Sequence, residues 1–390
     1  MKRLKVFITC SGLGNISRGY ESFFRGCFDA LCNEPSIDVL LYKGRGENKG
    51  KESCLWNIPR TSRTAAWLGK ICGRSPYFTE QLTFFVSLLP HILFKPPDVV
   101  YVSDVVLANF IRIFKKCVNA KYRVLFNNNG PTLPQLLFRW DHIQQVSPQY
   151  LGEGLAAGVP QHRQTLLPSA VDIPESFRPA RNVDQDNLRK RLGLPQDRRI
   201  ILSVGAINRS RKRMDYVVRE IAGLQKPLPF LLLLGQRESD TQEIVDLGNS
   251  LLSQEGFSAR TVSKDEVRDY YRAADLFTLA SLDEGFGLVY VEALSHGLPC
   301  LVHDYETSRF VLGEMGYYGD MTQDGGLKGL LSSLSAKDFD LKAKKSRHAY
   351  AYDRFSWDSL KPKYIELFQQ CTEQAREAHI KHASRVCTDG

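Results

Sequence analysis

The sequence predicts an α/β protein of two doubly wound, parallel-sheet, Rossmann-like domains facing a cleft. Three observations carry that reading. The chain has 390 residues, beyond the length at which a single core usually stops growing. Short apolar runs alternate throughout with longer amphipathic ones, the pattern of parallel strands joined by crossover helices. The alternation also restarts midway, after the polar, proline-bearing stretch "DIPESFRPARNVDQDNLRKRLGLPQDR" at 172–198. The expected division is an N-terminal domain at 1–175, a linker at 176–198, a second domain at 199–355 and a terminal helix at 356–390 that crosses back to the first domain.

In the first half the strands read as "KVFITC" (5–10), "DVLLYK" (38–43), "DVVYVS" (98–103), "RVLFNN" (123–128), "HIQQVS" (142–147) and "QTLLPS" (164–169). Between the first two, "GYESFFRGCFDALC" (19–32) places Phe23, Phe24, Phe28 and Leu31 on one helical stripe. The second half reads as "RIILSVGA" (199–206), "FLLLLG" (230–235), "ARTVS" (259–263), "LFTLA" (276–280) and "PCLVHD" (299–304).

Composition narrows the functional classes. A 43% hydrophobic and 24% charged chain is ordinary for a globular protein. Nine scattered cysteines without a CxxC pair or Cys/His metal spacing read as reduced thiols in a cytoplasmic protein. The basic start has too short an apolar core for an export signal. The apolar stretch 77–94 is interrupted by Glu80, Gln81, Pro90 and His91, so it does not read as a membrane span. Charge is uneven: residues 1–180 carry 22 Lys/Arg against 13 Asp/Glu, whereas 181–390 carry 30 of each. The basic cluster at 43–74, beside the apolar 77–94 stretch, suits an anionic membrane surface or a phosphate-bearing acceptor; core packing of that stretch is the plainer alternative. Interleaved basic and aromatic motifs of nucleic-acid modules are absent, and no nucleic-acid partner is expected.

The chemistry concentrates in "EGFGLVYVEALSHGLP" (284–299). It reads as a loop leaving the carboxyl end of a strand, then a helix stopped by Gly297. Ligands of doubly wound sheets bind at those ends, where helix N-termini favour anions. Gly285 and Gly287 let a ligand approach the backbone. Glu284 on the loop and Glu292 a turn into the helix suit the hydroxyls of a sugar and a ribose. Spacing alone favours the plainer reading, a loop charge at Glu284 and a surface helix residue at Glu292.

This stretch resembles the E-x7-E segment of family 4 retaining glycosyltransferases of the GT-B fold, in glycosyltransferase group 1. The resemblance extends through "LRKRLGLPQDRRIILSVGAINRSRKRMDYVV", "YYRAADLFTLASLDEGFGLVYVEALSHGLPCLVHD" and "FSWDSLKPKYIELF", covering roughly residues 160–368. It implies that Glu284 contacts the donor sugar, Glu292 the ribose, and the N–H groups of Phe286, Gly287 and Leu288 the sugar and phosphate. Gly205 and Lys212 would hold the diphosphate, helped by Arg209 or Arg213, and Val262 would lie where the backbone reads the base. The implied donor is a nucleoside diphosphate sugar, UDP- or GDP-linked, and the implied reaction is transfer to a hydroxyl acceptor with retained configuration. No cofactor is expected, and no metal, because no Asp-x-Asp clamp lies near the phosphate loop.

Two departures from the family pattern stand out. Ala206 occupies a position where many relatives carry arginine. "LFNNNGP" (125–131) stands where many carry a histidine, so Asn127, Asn128 or Asn129, or the downstream His142, is left to serve near the reacting sugar; Asn128 and His142 are the candidates. Gly12, Gly14 and Arg18, in the loop "CSGLGNISRGYES", are candidates for the acceptor side. A sugar-nucleotide epimerase or phosphorylase of the same fold, or a silent nucleotide-sugar-binding subunit, are the alternative readings.

Overall fold

The computed structural model describes residues 3–16, 18–178 and 182–386, with backbone alone at 182–183 and 374–386. The chain divides into two units, Met1–Ala170 with Trp357–Gly390, and Val171–Ser356. Residues 171–175, expected in the first domain, therefore group with the second unit.

The first unit opens with β1 (Leu4–Cys10), α1 (Gly19–Leu31), β2 (Ile37–Lys43) and β3 (Glu52–Cys54). It continues with α2 (Arg63–Cys72), α3 (Pro76–Phe94), β4 (Val99–Val102), α4 (Val105–Cys117), β5 (Arg123–Asn128), β6 (His142–Gln145), α5 (Pro148–Ala156) and β7 (Gln164–Leu166). Its parallel sheet has the order β3-β2-β1-β4-β5-β6-β7, doubly wound about β1. Val6, Phe7, Ile8, Val99, Val100, Tyr101 and Val102 are fully buried, as strands covered by helices on both faces require. The predicted stripe on α1 is buried in full.

The second unit contains α6 (Asn182–Arg191), β8 (Ile200–Val204), α7 (Met214–Ala222), β9 (Phe230–Leu234), α8 (Thr241–Gly256), β10 (Phe257–Arg260) and α9 (Lys264–Ala273). It is completed by β11 (Leu276–Leu279), α10 (Leu288–Ser295), β12 (Cys300–His303), α11 (Glu306–Leu312), β13 (Gly316–Gly319), α12 (Gly326–Ser333) and α13 (Leu341–Phe355). The sheet order is β10-β9-β8-β11-β12-β13. Helix α14 (Trp357–Val386) belongs to the first unit, where Trp357 stacks on Phe23 and Tyr364 donates to the Pro168 carbonyl.

Several boundaries differ from expectation for local reasons. The expected strand 259–263 is β10, which ends at Arg260, because Ser263 and Glu266 form a capping box that starts α9. The expected strand 142–147 stops at Gln145, since the Ser147 side chain caps α5. β3 and β13, three and four residues long, were not foreseen. Within the linker, 182–191 is helical, and 179–181 lie outside the described residues. No described helix is long and apolar enough to cross a membrane. Eight described cysteines are free; Cys387 lies outside the described residues.

Candidate active site

In the second unit the loops after β8 and β11 meet. Val204 leads into Gly205, over which the Lys212 side chain lies: a Cβ at Gly205 would stand 3.1 Å from Lys212 Cε. Behind it, a Cβ at Gly235 would fall 1.6 Å from the Gly205 carbonyl oxygen, so only glycine lets the ends of β8 and β9 close. The loop 206–213 is organised by Asn208, whose buried carboxamide accepts from the N–H groups of Arg211 (3.1 Å) and Lys212 (2.8 Å) and donates to Glu238 (2.9 Å). That fold-back aims Lys212 Nζ at Glu284, and the two side chains form a mostly buried, hydrogen-bonded ion pair.

Past Glu284, the buried Phe286 packs edge-on against Phe355. Gly287, the N-cap of α10, sits at φ 79°, and a Cβ there would lie 2.4 Å from the Tyr290 ring. A side chain is excluded by both conformation and space. α10 then starts at Leu288, so the positive end of its dipole lies on the loop that carries Glu284, with Tyr290 N–H donating to the Gly287 carbonyl at 2.9 Å.

One turn further, the half-buried Glu292 accepts from the Tyr271 hydroxyl at 3.0 Å. Burial pushes its carboxyl above the usual range, and the Tyr271 hydroxyl, Lys264 and Arg268 offset this in part. His296 stacks on Tyr271 and is pushed down by burial to about 4, so it is neutral at pH 7. Val262 lies on the loop just before α9, beside Lys264.

The two arginines take other partners. Arg209 forms an ion pair with Glu243 at the surface, 2.9 Å away, and Arg213 donates to the Met321 carbonyl and packs on Tyr216 at 4.6 Å. Neither guanidinium is brought to the Lys212–Glu284 pair.

In the first unit the candidates scatter. Asn128 lies inside the sheet, donating to Gln145 at 2.7 Å, and Gln145 donates to Gln164 at 2.7 Å. Asn127 donates to Gln144 (2.9 Å) and Tyr101 (2.8 Å). Of the three, Asn129 alone lies past the end of β5, accepting from Ser103 at 2.9 Å. His142 is the first residue of β6, buried against Thr165 at 2.8 Å. It pairs with Leu125 in the middle of β5, short of the carboxyl ends where a residue near the reacting sugar would lie.

Gly14, at φ 90°, packs on the Arg45 carbonyl, and Arg18 is the exposed N-cap of α1. Gly12 faces Glu21: a Cβ there would lie 2.5 Å from Glu21 Oε1. Glu21 is itself buried, and burial pushes its carboxyl above the usual range. A carboxyl group thus lies beside the glycine loop, where it suits the hydroxyls of an acceptor.

Asn208, Gly235, Tyr271, Lys264 and Glu21 were not singled out in the sequence. Asn208 had a usable signal, an Asx-type residue just ahead of a basic turn. The others acquire meaning only through contacts between elements distant in sequence.

Two Rossmann-like parallel-sheet units define the GT-B class of fold, and the comparisons agree. Residues 184–331 match the family model described as Glycosyl transferases group 1. Alpha-galactosylglucosyldiacylglycerol synthase of Streptococcus pneumoniae is 25% identical over 177 residues, 45% of this chain and 46% of that protein. D-inositol 3-phosphate glycosyltransferase of Xylanimonas cellulosilytica is 28% identical over 227 residues, 56% and 54% of the two chains. The chain spans about half the length of the curated relatives it matches. Among solved structures, sucrose-phosphate synthase from Thermosynechococcus elongatus superposes with TM-score 0.76 at 17% identity, covering 94% of this chain and 99% of that one. Anabaena HepE in complex with UDP and glucose superposes with TM-score 0.72 at 14% identity, covering 94% and 100%.

Proposed function

We propose that the protein is a retaining glycosyltransferase that moves a sugar from a nucleoside diphosphate sugar to a hydroxyl acceptor. The observation that carries this reading is the Lys212–Glu284 pair at the carboxyl ends of β8 and β11, with the N-terminus of α10 beside it and Glu292 one turn on. On donor binding, Lys212 exchanges Glu284 for the diphosphate. Glu284 is thereby released to accept hydrogen bonds from sugar hydroxyls, and Glu292 takes the ribose. As the glycosidic bond lengthens, negative charge grows on the departing diphosphate, and Lys212 with the α10 N–H groups stabilises it. The acceptor hydroxyl then attacks from the face the diphosphate leaves, and its proton passes to the leaving phosphate oxygen, so configuration is kept. This account assigns charge neutralisation to Lys212 without a metal; the expected result is unchanged turnover in excess EDTA. The complex of Anabaena HepE with UDP supports a uridine donor.

The raised Glu292 carboxyl gives a pH prediction. The ionised form, which accepts two hydroxyls, is present above its pKa and is lost as pH falls through it. Donor affinity measured by calorimetry from pH 8 downward should therefore begin to fall above 4.5, the ordinary carboxylate value. Glu292→Gln should abolish that inflection. Affinity flat down to pH 4.5 would contradict the role given to Glu292.

On the acceptor side we propose contact with an anionic membrane. Trp67 (61% exposed) and Ile71 on α2, and Val86, Leu93 and Phe94 (84%) on α3, are exposed apolar residues on two helices that pack together. Arg63, Lys70, Arg74 and Lys95 are exposed among them. Lys43, Lys51 and Arg60 are instead ion-paired within the unit, which reduces the basic cluster expected at 43–74. Buried apolar side chains plus basic residues are the two terms of interfacial binding. The protein should float with vesicles containing phosphatidylglycerol and not with pure phosphatidylcholine, and Trp67→Ser with Phe94→Ser should abolish flotation. Equal flotation by that variant would remove the proposal.

A further inference from the structure

We propose that the first unit carries a second anion site, at the amino ends of β5, β6 and β7, built for a ligand bearing phosphate with at least two negative charges. It goes beyond the transfer reaction and does not depend on it. A cavity of about 400 Å³ opens there, lined by Arg112 and Lys116 from α4, Arg123 at the start of β5, Arg139 ahead of β6 and Arg163 ahead of β7. Its single carboxylate is Asp141. That group is already engaged by Lys115 at 2.7 Å, Arg123 at 3.2 Å and the Val124 N–H at 2.7 Å.

Lys116 has an ordinary explanation, since cations in the last turn of a helix complement its dipole. Arg123 shares Asp141 with Lys115, and that is the one carboxylate lining a cavity that also holds Arg112, Arg139 and Arg163. Arg163 is held in place by main-chain oxygens, donating to the Phe138 carbonyl at 3.2 Å and to that of Trp140, and Arg139 donates to Asn109 at 3.3 Å. Burial, with Arg123 close by, lowers the Arg163 guanidinium against a partial offset from Asp141. Like charges gathered around one cavity without matching carboxylates repel one another, and a polyanion relieves that repulsion.

Buried donors point the same way. Trp140 is fully buried and lines the cavity, and its Nε1 has no hydrogen-bond partner among the described residues; nor has Arg123 Nε. Phe138, 44% exposed, supplies an apolar wall. The volume lies within the range of small-molecule sites, so a small phosphorylated molecule fits, as does a phosphomonoester headgroup. The donor candidates lie in the other unit, at the carboxyl ends of its strands.

The test uses inorganic pyrophosphate titrated calorimetrically into the full chain carrying Lys212→Ala, which removes diphosphate binding at the donor loop. One binding event should remain. Adding Arg112→Gln and Lys116→Gln, both on the helix surface, should weaken it by about tenfold to a hundredfold, the effect of losing hydrogen bonds from charged groups. The thermal midpoint without ligand should not change. No binding in the Lys212→Ala protein, or undiminished affinity after the two added substitutions, would overturn the site. A second arm identifies the source of the phosphate. Flotation on phosphatidic acid vesicles that pyrophosphate reverses, and that the two substitutions abolish, identifies a headgroup; flotation insensitive to both, with pyrophosphate still bound, identifies a soluble ligand.

Discussion

Replacing Lys212 with alanine is expected to lower the transfer rate at saturating donor by about 10²–10³-fold, the range found on removing one group that stabilises developing transition-state charge. The ammonium is where that charge would appear, laid over Gly205 and held by the turn that Asn208 organises. The substitution also leaves the mostly buried Glu284 without its cation, and an unpaired buried charge destabilises the fold. The double variant Lys212→Ala, Glu284→Gln separates the two effects. It should recover the thermal midpoint and stay as slow as the single variant. Recovery of rate together with stability would mean that the lysine acts only as a structural counter-ion.

The second large effect is expected at Gly235. Alanine there would place its Cβ 1.6 Å from the Gly205 oxygen and 2.5 Å from its carbonyl carbon, both backbone atoms that cannot swing aside. β8 and β9 would have to part at the ends that carry the Lys212 loop. Overpacking of this kind costs about 1–3 kcal/mol, and each kcal/mol lowers the melting midpoint by about 2–4 °C in a domain of this size. Donor affinity should fall with it. Gly205→Ala meets only the flexible stem of Lys212, the nearest atom 3.1 Å away, but its φ of 159° strains a side chain, so it should lower the melting midpoint less than Gly235→Ala while lowering turnover. Scanning calorimetry on both variants checks the contrast; equal melting midpoints would contradict the packing account.

Legibility in the sequence followed the range of the interactions. β9 is buried on both faces and reads as an unbroken apolar run, and β1, β5 and β8 each carry a shorter one, Val6–Ile8, Val124–Phe126 and Ile200–Leu202. The E-x7-E segment was legible because strand, loop, N-cap glycine and helix all lie within one short stretch, and the structure keeps that order. His142 misled because alternation does not fix depth along a strand; register against β5 puts it opposite Leu125, in mid-strand and short of the carboxyl end. Arg209 and Arg213 shared a basic run with Lys212, and only the positions of Glu243 and Met321 separate the three. Glu21 drew no reading from the sequence, yet the turn of α1 presents it to Gly12. The cations of the 400 Å³ cavity come from four separate segments that only the sheet order brings together.

The most direct measurement is calorimetric binding of UDP- and GDP-sugars to the wild-type protein and to Lys212→Ala and Glu292→Ala, with NMR detection of the sugar anomer released by slow hydrolysis. The account predicts that one donor binds, that its sugar is released with the donor's own anomeric configuration, and that both substitutions weaken binding and slow release. Binding of no donor, an inverted anomer, or affinity unchanged by both substitutions would contradict it.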